Sequence, residues 1–121
     1  GHIFVNRTTP QKDLLRKSIS ILKSGISMGI FPEGTRCRNG KMGKFKKGAF
    51  VIANMTQTPV LPITIDGAYN ILPKGCKCLH WSPVTLTFHA PIECQGRDSE
   101  NVERMMNEAE TVIANTLYKN K

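Results

Sequence analysis

Residues 26–36 read ISMGIFPEGTR, a short apolar run that changes abruptly into a polar turn. The apolar part, residues 26–31, has the composition of a strand that is buried on both faces of a sheet. A plain surface turn requires a proline and a glycine, but this one adds a carboxylate, a hydroxyl and a guanidinium. These additional groups belong to Glu33, Thr35 and Arg36. The stretch therefore predicts a buried strand that delivers polar side chains to solvent at its carboxyl end.

The residues before this strand complete a strand–helix–strand unit. Residues 2–6 read HIFVN, a strand-like run that ends at Arg7. Thr9 is a suitable cap for a helix whose first position is Pro10, and Gly25 ends that helix. The helix has apolar residues at spacings of three and four, namely Leu14, Leu15, Ile19 and Leu22. A βαβ unit of this length implies a parallel pair of strands joined by a right-handed crossover.

The rest of the chain continues the alternation of helices and strands. Residues 49–55 predict a short buried helix, although their composition also suits a strand. Residues 66–83 read as a loop. The remaining elements are strands at residues 59–65 and 84–89 and an amphipathic helix at residues 98–118. We therefore predict an α/β fold, a mainly parallel sheet flanked by helices, in a single domain over residues 1–121 that is the C-terminal part of a longer protein.

Ligands of parallel sheets bind at the carboxyl ends of the strands. Arg7 follows the first predicted strand and residues 33–36 follow the second, so both should lie at one edge of the sheet. Two guanidiniums at one edge suit a phosphate, because each planar fork can bind two of its oxygens. Gly34 would let such a ligand approach the backbone, and the Thr35 hydroxyl could donate to it. The competing interpretation of Glu33 and Arg36 is a surface ion pair on a tight turn.

The charge distribution supports an anionic partner for the first half of the chain. The net charge is +8, and residues 1–60 hold eleven lysines and arginines but only two acids. A nucleotide-binding loop is excluded, because five residues rather than four separate Gly34 from Gly40 and Met42 replaces the required Ser or Thr. A nucleic-acid backbone remains an alternative ligand for the basic run, in which Phe45 alone could stack on a base. The basic run comprises Arg36, Arg38, Lys41, Lys44, Lys46 and Lys47.

Metal binding and membrane spanning are not expected from this sequence. A single residue separates Cys76 from Cys78, whereas two residues usually separate the cysteines of a zinc knuckle. His80 is the one further potential metal ligand nearby. No apolar run approaches the length of a transmembrane segment. The cysteines are expected to be reduced thiols.

Four stretches of the sequence resemble the conserved blocks of the glycerolipid acyltransferases, and specifically of the lysophosphatidate (1-acylglycerol-3-phosphate) acyltransferases. FPEGTR at residues 31–36 resembles their third block, and GHIFVNR at residues 1–7 resembles the second. FKKGAF at residues 45–50 resembles the segment after the third block, and VLPITI at residues 60–65 resembles the fourth. The blocks occur in the order that the family has.

The resemblance implies a fold, a reaction and a site. The fold would be an incomplete acyltransferase-like domain, and the reaction would move a fatty acyl group from a thioester to the free hydroxyl of lysophosphatidate, giving phosphatidate for phospholipid synthesis. The acyl donor would be acyl-CoA or acyl carrier protein, with no cofactor and no metal. The enzyme would be membrane-associated at the cytoplasmic face, with its basic half against lipid headgroups. The implied glycerol-phosphate pocket consists of Arg7, Glu33, Gly34, Thr35 and Arg36, and Val60 and Pro62 would shape the acyl-donor side.

The family's catalytic base is the histidine of a His-x-x-x-x-Asp motif, whose aspartate orients the imidazole. The three histidines here, His2, His80 and His89, are followed five residues later by Arg7, Thr85 and Cys94. The resemblance therefore implies a substrate-binding portion without the acid–base pair, and no catalytic residue in this chain. The alternative is a phosphate- or nucleic-acid-binding module without catalysis.

We expect the 121-residue chain by itself to catalyse no acyl transfer, because it lacks the His-x-x-x-x-Asp motif. The measurement is thiol release from acyl-CoA in the presence of lysophosphatidate. Turnover that disappears on replacing His2, His80 or His89 with alanine would contradict this expectation.

Overall fold

The computed structural model describes residues 10–35, 37, 39–73 and 75–119. These residues form helices and a small sheet, as the α/β class predicts. The helices are α1 (Gln11–Lys23), α2 (Gly48–Thr56), α3 (Ala68–Ile71) and α4 (Ser99–Tyr118), and the strands are β1 (Ile63–Asp66) and β2 (Thr85–Phe88). Within this part of the chain, every helix is too short or too polar to span a bilayer.

Helix α1 lies where its periodicity predicts, with one change at its start. It begins at Gln11, and Pro10 occupies the capping position that the sequence suggested for Thr9. At the other end Gly25 has a φ of +86°, which glycine adopts at little steric cost. This conformation lets the Ile26 N–H donate to the Ile21 carbonyl at 3.3 Å, so the helix ends where Gly25 predicted.

The predicted parallel pair does not appear in the described residues. Residues 26–31 form no strand, and their predicted partner at residues 2–6 lies outside the described part of the chain. A strand is defined by hydrogen bonds to a neighbour, so an apolar run alone does not establish one.

The sheet that is described pairs β1 with β2 in antiparallel orientation, rather than the parallel orientation expected of most of the sheet. Ile63 lies opposite Phe88, and Ile65 lies opposite Leu86. All four side chains are exposed, whereas Thr64 between Ile63 and Ile65 is buried, and β1 contacts α4. The two strands follow one another in sequence, so their connection can be a loop, and this loop contains α3.

The hydrophobic core lies between α2 and α4. It consists of Phe50, Ala53, Ile92, Val102, Met105 and Ala109. Met105 is completely buried, and α1 and β1 pack around this helix pair through contacts with α2 and α4, respectively. The amphipathic stripe predicted for residues 98–118 therefore faces the core.

A buried hydrogen-bonded pair also joins these two helices. The Asn101 side chain on α4 donates to the Asn54 Oδ1 on α2 at 2.7 Å. Asn54 in turn donates to the Arg97 carbonyl at 3.0 Å, and the Asp98 carboxylate caps α4 by accepting from the Asn101 N–H. Since buried amides are costly unless their groups are paired, these bonds favour one register of α2 on α4.

Replacing Met105 with alanine should lower the free energy of unfolding by about 3 kcal/mol, because it leaves a cavity in the core. Met55 on α2 provides a matched control, since it is 50% exposed. Met55→Ala should lower the free energy of unfolding by less than about 1 kcal/mol. Urea titration measures this free energy for both variants. Equal losses for the two variants would show that the core does not lie between α2 and α4.

Candidate functional site

The polar turn after residues 26–30 has defined backbone geometry. The Gly34 N–H donates to the Phe31 carbonyl at 3.0 Å, which closes a four-residue turn with Pro32 in its second position. Gly34 has a φ of +71°, a region that glycine enters without strain. The sequence Phe-Pro-Glu-Gly is therefore matched to this turn, and Glu33 and Thr35 lie on either side of the glycine.

The segment from Glu33 to Phe45 is a loop that is closed at its base; we call it the FPEGTR loop. The Lys46 N–H donates to the Pro32 carbonyl at 2.8 Å, which brings the two ends of the loop together. Inside it, the Glu33 Oε2 accepts from the Gly43 N–H at 2.7 Å. The resemblance implied that Glu33 is part of the glycerol-phosphate pocket, and the structure shows that its carboxylate holds the loop's own backbone.

Two tyrosines of the surrounding body contact the far side of the loop. The Tyr118 hydroxyl, at the end of α4, accepts from the Met42 N–H at 3.1 Å. The Tyr69 ring of α3 lies against Gly40, where an added Cβ would be 3.3 Å from two ring carbons. The loop is thus held by Glu33 from within and by α3 and α4 from outside.

Phe45 fastens the end of the loop to the core. Its ring stacks on Phe50 of α2, with centroids 6.3 Å apart and 16° between the ring planes. Phe45 is half-buried and packs against the core cluster. Because this ring face is occupied, the sequence-based alternative in which Phe45 stacks on a nucleic-acid base loses its aromatic platform.

A groove of about 480 Å³ opens along the loop. Its lining includes Glu33, Thr35, Cys37 and the two lysines Lys41 and Lys44. The two ammonium groups outnumber the one carboxylate, so the charge of the groove suits a small anion.

Lys46 lies directly over the turn. A Cβ added at Gly34 would be 2.9 Å from the Lys46 Nζ and 3.1 Å from its Cε, so the lysine occupies the space that a side chain would need. Gly34 therefore permits close approach of an ammonium group, and close approach of a ligand at this glycine stays a prediction. In the sequence Lys46 was one member of a basic run, with no visible link to Gly34.

The neighbouring lysine has a different role. Lys47 Nζ forms a salt bridge with Glu103 on α4 at 2.8 Å. The hydrogen bond and positive charge of Lys47 lower the pKa of Glu103. The pair therefore stabilises the fold above the unfolded-state pKa of glutamate and loses this effect as the pH falls through the lowered value. Both side chains are exposed, so the pair contributes little to stability.

The described residues contain only part of the predicted site. Glu33, Gly34 and Thr35 lie together on the loop, whereas Arg7 and Arg36 lie outside the described residues. Val60 and Pro62 are elsewhere: Val60 pairs with Ile92 beside the core, and Pro62 is buried before β1. Neither lines the groove, and their role on an acyl-donor side stays a prediction.

The two described histidines lie away from the loop. The His89 Nε2 is 2.7 Å from the hydroxyl of Thr64, which is 1% exposed, so this ring is part of the packing beside β1. His80 is exposed in the connection between β1 and β2. His2 lies outside the described residues.

The residues that position the loop could not be found from the sequence. Tyr69 and Tyr118 have no motif around them, and Gly43 reads as one more glycine in a polar segment. The one available signal was the FKKG stretch, whose Lys46 proves to lie beside the turn.

These features define the class of protein. The sequence model of the family described as Acyltransferase matches residues 1–66, which include the polar turn, the basic segment and the first strand of the described sheet. This chain belongs to the acyltransferase family, which confirms the resemblance inferred from the sequence.

Within that family the chain is similar to 1-acyl-sn-glycerol-3-phosphate acyltransferases. It is 38% identical over 97% of its length to the chloroplastic enzyme LPAT1 of Arabidopsis thaliana, and 42% identical over 76% to the chloroplastic BAT2 of Brassica napus. It spans 32% and 28% of those proteins, about one third of their length.

A solved structure agrees with these sequence relationships. The crystal structure of the 1-acyl-sn-glycerophosphate (LPA) acyltransferase PlsC from Thermotoga maritima superposes with a TM-score of 0.74 at 38% identity. The match covers 88% of this chain and 45% of that one, which confirms a partial acyltransferase domain as the fold class.

Replacing Glu33 with alanine should speed amide hydrogen exchange at Gly43 by about fivefold, because a hydrogen bond to a carboxylate is lost at an exposed site. Asn39→Ala is the control in the same loop, since the Asn39 Oδ1 accepts from the Lys41 N–H at 3.2 Å and not from Gly43. Unchanged exchange at Gly43 in Glu33→Ala would show that this carboxylate does not hold the loop.

Proposed function

We propose that this chain is part of an O-acyltransferase that converts lysophosphatidate to phosphatidate, and that it supplies the site for the glycerol phosphate. The observation that carries the proposal is the closed FPEGTR loop, with Gly34 in a left-handed conformation and the Lys46 ammonium directly over it. The site would comprise Arg7, Glu33, Gly34, Thr35 and Arg36, with Lys46 as a further cation.

The chemistry of the loop supports a phosphate as the bound group. Lys46 brings a positive charge to the turn, and Lys41 and Lys44 add two more along the groove. Glu33 is held by the Gly43 N–H, so its negative charge is partly compensated by a backbone donor. A phosphate at the turn would gain charge-assisted hydrogen bonds from Lys46 and from Arg7 and Arg36.

The reaction itself requires a group that this sequence does not contain. Acyl transfer forms an ester bond to the substrate hydroxyl and breaks the thioester bond, and the hydroxyl proton must pass to a general base. No His-x-x-x-x-Asp motif occurs in residues 1–121. The role of this chain is therefore to bind and orient the acceptor so that its hydroxyl reaches a base and an acyl donor, either acyl-CoA or acyl carrier protein.

The proposed lipid substrate would bring the protein to a membrane surface. Lysophosphatidate carries its phosphate at the bilayer interface, and the first half of the chain has a large excess of positive charge. We propose association with the cytoplasmic face of a membrane, with the basic half toward the anionic headgroups.

A binding module for nucleic acid is the second candidate, and the basic segment alone favours it. Polyanion binding would use the lysines of the run as interchangeable point charges. The structure distinguishes two of them, since Lys46 lies over Gly34 whereas Lys47 is bound to Glu103. This difference allows the two candidates to be separated by experiment.

Calorimetric titration with a soluble, short-chain lysophosphatidate tests the proposal. Lys46→Gln should raise the dissociation constant about tenfold, because one charge-assisted hydrogen bond to the phosphate is lost. Lys47→Gln is the matched control one residue away and should change it less than about twofold, because its charge is already paired. Arg36→Gln should weaken binding as Lys46→Gln does.

Two results would contradict the proposal. The first is no measurable binding of lysophosphatidate or glycerol 3-phosphate by the unaltered chain. The second is an equal loss for Lys46→Gln and Lys47→Gln together with efficient competition by a DNA oligonucleotide, which would identify a nucleic-acid-binding module.

A further inference from the structure

The connection between β1 and β2 carries two strongly exposed large apolar side chains. Trp81 is 93% exposed and Leu79 is 77% exposed. Together with Lys77, they belong to the segment from Leu72 to Ser82, which we call the Trp81 loop. Burial of a tryptophan or leucine side chain is strongly favourable. High exposure of both, with only one residue between them in the chain, therefore indicates a surface that a binding partner covers.

The Trp81 loop is closed at its base rather than loosely extended. The His80 N–H donates to the Ile71 carbonyl at 2.9 Å, and the Cys76 N–H donates to the Pro73 carbonyl at 3.1 Å. One step further toward the sheet, the Pro83 carbonyl lies directly against Gly67, whose φ is +92°. Two contacts therefore hold the ends of the loop together, the hydrogen bond between His80 and Ile71 and the packing of Pro83 on Gly67. Leu79 and Trp81 project from this supported backbone.

The charge of this region favours an anionic partner. Residues 67–92, which lie between Asp66 and Glu93, contain two lysines, Lys74 and Lys77, and no aspartate or glutamate. Lys77 is exposed in the same loop as Leu79 and Trp81. An exposed tryptophan next to an aliphatic side chain and a lysine is the combination that partitions into the headgroup region of a bilayer, where the indole ring and the ammonium both remain solvated.

We propose that the Trp81 loop inserts into the interface of an anionic phospholipid bilayer, with Trp81 and Leu79 among the headgroups and Lys77 beside lipid phosphates. The inference rests on the proposed function, because an enzyme that takes a lipid substrate must contact the membrane that contains it. It assigns that contact to a loop more than thirty residues along the chain from the phosphate-binding turn. The phosphate site and this membrane contact then involve different residues.

The sequence provides a direct probe, because Trp81 is the single tryptophan of the chain. We would titrate the protein with vesicles of equal parts phosphatidylcholine and phosphatidylglycerol and follow tryptophan emission. The expected result is a shift of the emission to shorter wavelength, and quenching by phospholipids brominated near the headgroup. Vesicles of phosphatidylcholine alone should bind more weakly, because the lysines then lack an anionic partner.

Variants of the loop test which side chains carry the binding, with cosedimentation as the measurement. Leu79→Ser and Trp81→Ser should each reduce the vesicle partition coefficient about tenfold, and Lys77→Gln should reduce it about fivefold. Met55→Ser and Lys119→Gln are the matched controls, since both replace exposed side chains outside the loop, and Lys119 also lies outside the basic first half of the chain. They should leave the partition coefficient unchanged.

The outcomes separate this inference from the proposed function. Loss of vesicle binding in the loop variants with unchanged affinity for soluble, short-chain lysophosphatidate would support a membrane contact distinct from the phosphate site. Vesicle binding that is equal in all variants, or absent in the unaltered protein, would overturn the inference. So would an emission shift that depends on protein concentration without vesicles, since it would show that a second copy of the chain covers Trp81.

Discussion

The packing of α2 on α4 is the constraint on which the rest of the described structure depends. Met105 is completely enclosed between these helices, and the Asn54–Asn101 hydrogen bond favours a single register of one on the other. Unpaired amides in the same place would destabilise the fold, so a shifted register would lose both the apolar contacts and the polar ones. The position of α2 follows from this contact, and α2 continues directly from the basic segment that closes the candidate site.

The site is positioned through this helix pair rather than by the turn alone. Phe45 stacks on Phe50 of α2, and the next residue, Lys46, donates its backbone N–H to Pro32. Tyr118 at the end of α4 supports the far side of the loop. Core packing is thus transmitted to the polar turn over a few residues. A binding site on a loop gains precision from such support, because the loop loses less conformational entropy when a ligand binds.

Two adjacent lysines illustrate how this geometry divides a basic run into separate functions. Lys46 lies over Gly34, whereas Lys47 points to Glu103 and joins the basic segment to α4. The apolar residues also divide into two groups. Met105 and Phe50 form part of the core, whereas Leu79 and Trp81 project from a closed loop that also contains the exposed Lys77. If both proposals hold, different elements would recognise the substrate phosphate and the membrane surface, which would let the protein remain on the bilayer while its site exchanges substrate for product.

The sequence by itself determined the elements that depend on local regularity. The spacing of Leu14, Leu15, Ile19 and Leu22 predicted α1, and the stripe around Met105 predicted α4, because helical periodicity brings such residues to one face whatever surrounds them. The FPEGTR turn could be predicted because a turn needs particular residues at consecutive positions. The family was recognised from the resemblance of four stretches of the sequence to its conserved blocks. The expected strand at residues 26–31 and the parallel order of the sheet were not found in the described residues, since a strand depends on its neighbour.

Only the tertiary structure decided that Glu33 binds the Gly43 backbone, that Lys46 covers Gly34 and that Lys47 pairs with a glutamate 56 residues away. These contacts join residues whose separation along the chain carries no periodic signal, so only the packing of α2 and α4 brings them together.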